Sequence, residues 1–142
     1  MKKFLAPIVF GSMFTGCQSI YHDFHMADVH AMDNIRRSSY QAVANLAKNL
    51  QKNLDAGLKE EIAVEQAKET VLFALKDPDS AKFRKITMQD FSGGKVVCGY
   101  VNSKNSYGGY NGFTKFAANT TDVIFSDEGN SLSNAGINAA CP

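Results

Sequence analysis

The residues able to do chemistry fall into three groups. In the first, a glycine-rich stretch sets Tyr107, Tyr110, Phe113 and Phe116 three apart, with Asn102, Lys104, Asn105 and Asn111 beside or between them. Rings on a turn make a platform for a sugar ring or for a partner protein's hot spot; the amides add hydrogen bonds, and the Lys104 ammonium suits a peptide carboxylate. The alternative is that Phe113 and Phe116 pack beneath a sheet while Gly108 and Gly109 only allow the turn. On either reading Tyr107 and Tyr110 are the exposed pair, because a phenol tolerates a half-wet position. The candidate ligand-binding residues are therefore Tyr107, Tyr110, Asn105, Asn111 and Lys104.

In the second group His22, His25 and His30 alternate with Asp23, Asp28 and Asp33. Imidazole and carboxylate bind zinc or copper, but a site needs three or four ligands converging in fixed geometry. Spacings of three and five do not place all three rings on one helical face, so no metal is expected. Serines and acids are plentiful, yet there is no nucleophile-elbow motif, no zinc-protease helix and no paired-carboxylate context. The expectation is a protein without cofactor and without catalysis, and a hydrolase is disfavoured.

The third group is the cysteines: Cys17, Cys98 and Cys141. Lys2 and Lys3 precede an apolar run from Phe4 to Phe14, too short to span a bilayer as a helix, which marks a removable export signal. Thr15-Gly16-Cys17 resembles the lipobox of bacterial lipoproteins, with Phe14 where leucine is usual. The resemblance implies cleavage before Cys17 and acylation of that residue, the alternative being an ordinary signal with a chance cysteine. Two or three acyl chains anchor firmly where one alone binds marginally. Gln18, where aspartate would retain such a protein in the inner membrane, implies the outer membrane, with the domain facing the periplasm. That leaves Cys98 and Cys141 to pair in an oxidising compartment.

The elements that position these groups follow from periodicity. Residues 1–16 read as the signal peptide, 17–27 as a lipidated polar tether and 28–142 as one domain of ordinary size. Val29, Met32, Ile35, Val43, Leu46, Leu50 and Leu54 fall mostly three or four apart and predict a long helix ending near Asp55-Ala56-Gly57. A second helix lies within 58–76, with Val64, Ala67, Val71, Ala74 and Leu75 as its stripe, and stops at Asp77-Pro78. Asp79 to Phe83 forms one helical turn that delivers Phe83 to the core. Strands follow at 85–91, 96–102, 113–118 and 122–125, with Ser92-Gly93-Gly94-Lys95 turning the first pair. Beyond 127 the chain is turn-rich, and little regular structure is expected before Cys141. The fold class is α+β: two N-terminal helices packed on a small antiparallel meander sheet of about four strands.

The segments Leu75-Lys-Asp-Pro-Asp-Ser-Ala-Lys-Phe83, Val97-Cys-Gly-Tyr-Val-Asn-Ser-Lys-Asn105 and Gly108-Gly-Tyr-Asn-Gly-Phe113 resemble a pattern in small exported bacterial and prophage-encoded proteins of unknown function. That resemblance offers no catalytic residue. Fifteen Lys and Arg stand against fourteen Asp and Glu, and two of the lysines belong to the signal. A near-neutral domain does not recruit nucleic acid through net charge. A non-enzymatic envelope module binding a protein or a cell-wall component is the leading expectation, followed by a periplasmic inhibitor or immunity protein.

Overall fold

The computed structural model describes residues 16–142, with side chains from Asp28 onward. Its elements in order are α1 (Gly16–Asp55), α2 (Glu60–Ala74), a 3-10 turn (Pro78–Ser80), β1 (Lys82–Phe91), β2 (Gly94–Asn102), β3 (Thr114–Ala118), β4 (Val123–Phe125) and α3 (Ala135–Ala140). Two units form, one ending at Met32 and one running from Asp33 to Pro142. In the first, the described part is α1 alone, and the backbone of 17–27, expected as a tether, is helical. Residues 1–15, the Cys17 thiol and the rings of His22 and His25 lie outside what is described. Among the described residues no helix is long and apolar enough to cross a membrane.

The second unit is α+β, and its sheet is antiparallel in the order β1-β2-β3-β4. Ser92 and Gly93 form the first hairpin's two-residue turn with φ of 51° and 79°, the doubly positive geometry that matches the twist of the flanking strands. Along β1 the apolar frame shifts between Phe83 and Ile86, and the register shifts with it between Arg84 and Thr87. This bulge lets Phe83, Ile86 and Met88 all join one core. It leaves Lys85 in the left-handed region at φ 50°, a conformation that costs an L-residue about 1–2 kcal/mol.

Each face of the sheet has its own cover. On one, Ala63, Ala67 and Val71 of α2 meet Val97, Val101, Phe116 and Ala118, and Phe83 stands edge-on to Phe116 at 6.0 Å. On the other, Ile137, Ala140 and Cys141 pack with Val96, Cys98 and Ala117. α1 contributes to both cores, Val43 to Ala47 to one and Leu50 to the other. It runs across the end of the sheet, where a Cβ on Gly94 would lie 2.3 Å from the Ala47 carbonyl oxygen. The buried Asn119 side chain donates to Leu46 O at 3.4 Å while its Oδ1 accepts from the backbone N–H groups of Thr121 and Asp122. α1 then ends in a Schellman motif, with Gly57 N–H on Leu54 O, Leu58 N–H on Asn53 O, and Gly57 at φ 103°.

The apolar stripe of α1 is core only from Val43 onward: Val29, Met32 and Ile35 are 41%, 51% and 47% exposed, so the earlier turns of the helix are an exposed stalk. Periodicity reports an apolar face, not what covers it. One expectation needs correction: the tail beyond 127 is more ordered than its turn-rich composition suggests. The Asn134 side chain accepts from the Asp127 N–H and donates to the Asp127 carbonyl, and α3 follows, with Gly136 set so close to α1 that a Cβ would lie 2.2 Å from Ser39 O. Ser39 Oγ donates to Ser133 O and accepts from Gly136 N–H. These tertiary partners stabilise a helix too short to persist alone.

Cys98 and Cys141 are joined, with Cα atoms 5.5 Å apart across 43 residues of sequence. A loop of that length is worth about 4 kcal/mol in the chain-entropy model. The Cys98→Ser/Cys141→Ser double variant should therefore lose roughly 2–5 kcal/mol in denaturant unfolding; an unchanged midpoint would refute the linkage. Gly136→Ala should cost at least about 2 kcal/mol by overpacking against α1. A Gly136→Ala protein as stable as wild type would show that α3 does not dock this closely.

Candidate functional site

The connection between β2 and β3 is stitched together from within. Lys104 and Tyr110 form an isolated bridge. Inside it, Asn105 Oδ1 accepts from the Tyr107 and Gly109 N–H groups at 3.0 and 3.1 Å, and Asn105 Nδ2 donates to Asn111 Oδ1 at 3.0 Å. The Asn105 backbone N–H donates to Gly109 O at 2.8 Å. Asparagine suits this role because its short arm reaches N–H groups a few residues on. Tyr107 consequently projects, 97% exposed, from a loop with a fixed backbone.

The same loop is fastened to the segment before β1. Lys104 N–H donates to Ser80 Oγ at 2.8 Å and the Tyr110 hydroxyl donates to Ser80 O at 3.2 Å. Lys82 Nζ and Lys104 Nζ stand 5.0 and 5.9 Å from the centre of the Tyr110 ring. The stretch 75–83 and the stretch 97–113, remote in sequence, thus meet through Ser80, Lys82, Lys104 and Tyr110.

This geometry sorts the candidate ligand-binding residues. Lys104, Asn105 and Asn111 line one groove of about 290 Å³, together with Leu75, Thr114 and Phe125. Tyr107 lies outside that lining as a free ring. Tyr110 is 42% exposed, yet its hydroxyl and ring are engaged, so it and Tyr107 are not an equivalent pair. The Asn105 amide is used inside the loop, and Asn102 Oδ1 is buried without a hydrogen-bond partner. Phe116 is wholly buried, whereas Phe113 is only half-buried beneath the Arg84 guanidinium, 3.9 Å from its ring centre. The pair does not pack together because an odd offset of three positions places Phe113 on the opposite side of the sheet from Phe116.

The side of the sheet that carries α3 is covered only in part. Arg84 pairs across the strands with Tyr100, and Tyr100 with Lys115. Alternation adds Lys82 and Phe113 to the same side. Lys115 Nζ lies 5.7 Å from the Tyr100 ring centre and donates to Cys141 O at 2.8 Å. Arg84, Lys85, Tyr100 and Phe113 line a depression of about 180 Å³. Each exposed cation–ring contact is worth roughly 0.5–1 kcal/mol and holds its cation in place. None of Lys82, Arg84, Lys85, Lys104 or Lys115 has a carboxylate within 4.0 Å among the described residues. Lys95, by contrast, bonds Asp90 at 3.1 Å and faces Glu60 at 3.5 Å, and those carboxylates, Asp90 foremost, raise its pKa.

Sequence reasoning did not single out Ser80, Lys82, Arg84, Lys85 or Lys115. Ser80 and Lys82 had a linear trace only as members of the stretch from Leu75 to Phe83, and Arg84 and Lys85 only as basic residues entering β1. No family model matches the chain, and neither a curated protein nor a solved structure is significantly similar to it.

Replacing Asn105 with alanine should release the Tyr107 and Gly109 amides to fast hydrogen exchange while the sheet amides keep their protection. Tyr107→Ala should shift stability by no more than about 0.5 kcal/mol. A Tyr107→Ala protein that unfolds early would mean that the ring is structural.

Proposed function

We propose that the chain is a non-enzymatic binding module of the bacterial cell envelope, anchored by lipid at Cys17 in the outer membrane and facing the periplasm. The observation that carries this reading is Tyr107, almost fully exposed on a loop whose backbone Asn105 fixes. An exposed aromatic on a preorganised loop gives contact area without ordering cost on binding, as binding hot spots require. The Cys98–Cys141 bond suits an exported, oxidising compartment. The likeness of the two sequence stretches to small exported and prophage-encoded proteins accords with the same setting. The partner is an envelope protein or a cell-wall component; a periplasmic inhibitor or immunity protein would use the same loop.

Two experiments test this. The full chain, solubilised from membranes in mild detergent, should capture one stoichiometric envelope protein or sediment with purified cell wall. Tyr107→Ala should weaken that binding by at least about 1 kcal/mol. Capture of a protein whose activity the chain suppresses would select the inhibitor form, and binding indifferent to Tyr107→Ala would remove the loop from the account. Separately, Cys17→Ser should leave an unprocessed precursor or release the protein from the membrane fraction, and globomycin should cause precursor to accumulate. A processed wild-type protein, soluble in the periplasm with a free Cys17 thiol, would overturn the anchor.

A further inference from the structure

Four cations, Lys82, Arg84, Lys85 and Lys115, gather on the part of the sheet that α3 leaves open, with Lys104 in the loop at its edge, and among the described residues none of the five has a carboxylate within 4.0 Å, although the whole chain is nearly neutral. Four acids, Glu60, Glu61, Glu65 and Glu69, sit instead on α2, which covers the opposite face. Like charges concentrated in this way repel one another and focus a positive potential over one surface. The β1 bulge adds to the concentration. It holds Lys85 at φ 50° beside Arg84, where both line the depression with Tyr100 and Phe113. Bulges re-aim side chains next to binding sites, and backbone strain of this kind clusters there.

We propose that this surface, Lys82, Arg84, Lys85 and Lys115 around the depression with Lys104 at its loop edge, binds the phosphate groups of a phosphate-bearing saccharide, the form of the proposed cell-wall component that suits its charge. It shares Lys104 and Tyr110 with the loop and so rests on the reading of that end of the sheet as a binding end. Phosphate is indicated because Arg84 and Lys85 converge on one depression, where a dianion with several acceptor oxygens fits better than one carboxylate. A nucleic acid is disfavoured because single-stranded bases need free ring faces for stacking. Here Phe113, Tyr110 and Tyr100 already carry Arg84, Lys82 and Lys115 against their rings. The cations are thereby fixed in advance, which is what recognition by charge requires.

The full chain in neutral detergent should bind dextran phosphate but not unmodified dextran, with affinity that falls as salt rises. The Arg84→Gln/Lys85→Gln variant should bind at least tenfold more weakly, and Lys104→Gln should weaken binding too. Lys48→Gln/Lys52→Gln, on the exposed side of α1, should leave it unchanged, and melting curves should show all variants folded. Equal loss in the α1 control, equal binding of both dextrans, or binding of poly(dT) or polyglutamate as tight as that of dextran phosphate would each overturn the proposal. If Tyr107→Ala leaves envelope binding intact while dextran phosphate binding still depends on Arg84 and Lys85, the loop reading fails and this one stands.

Discussion

The bond between Cys98 and Cys141 is the constraint on which the rest of the second unit depends. It ties an inner strand of the sheet to the last turn of the chain, inside the core that α1 also enters. A six-residue helix such as α3 has no stability of its own. Held by the sulfur bridge at one end and by Ser39 at the other, it stays on the sheet and buries Ile137 and Ala140. Its position also sets the limit of the covered area, because Cys141 O accepts from Lys115 at the border of the open part.

α1 supplies the second restraint. By crossing the end of the sheet it packs residues into the cores on both faces, so the two layers cannot separate independently. The crossing is close enough that Gly94 and Gly136 are the only residue type that fits under its backbone. The Asn119 amide satisfies polar groups where the end of β3 is buried against α1.

The loop between β2 and β3 lies away from this crossing. Strands β2 and β3 leave the core with their turn stabilised by Asn105 and their flank by Ser80, so the loop gains order from hydrogen bonds instead of burial. That arrangement lets an aromatic such as Tyr107 remain in water at little conformational cost. It also explains why ring and cation alternate over the open face: a cation set against a ring keeps its solvation on one side and a defined place on the other.

Much of this was legible in the linear chain. Alternation and the turn read over Ser92 to Lys95 specified the hairpin, Gly57 and Asp77-Pro78 bounded α2, and the cysteine count specified the bridge once the lipobox resemblance assigned Cys17 to lipid, because each depends on local geometry or on elimination. The stripe from Val29 to Ile35 could be read as core or as an exposed stalk for a physical reason: periodicity describes one helix, whereas burial needs a second surface. α3 escaped notice because its stability comes from Ser39, Gly136 and the disulfide, none of which leaves a local pattern. The open basic face was invisible for the same reason. Lys82, Arg84, Lys85, Lys104 and Lys115, spread over two strands and a loop, sum to nothing notable in composition, and only antiparallel register and a bulge bring them together. The sequence by itself determined which residues must turn, alternate and cross-link; the tertiary structure decided which side chains became neighbours, since neighbourhood across strands is set by register and packing, not by distance along the chain.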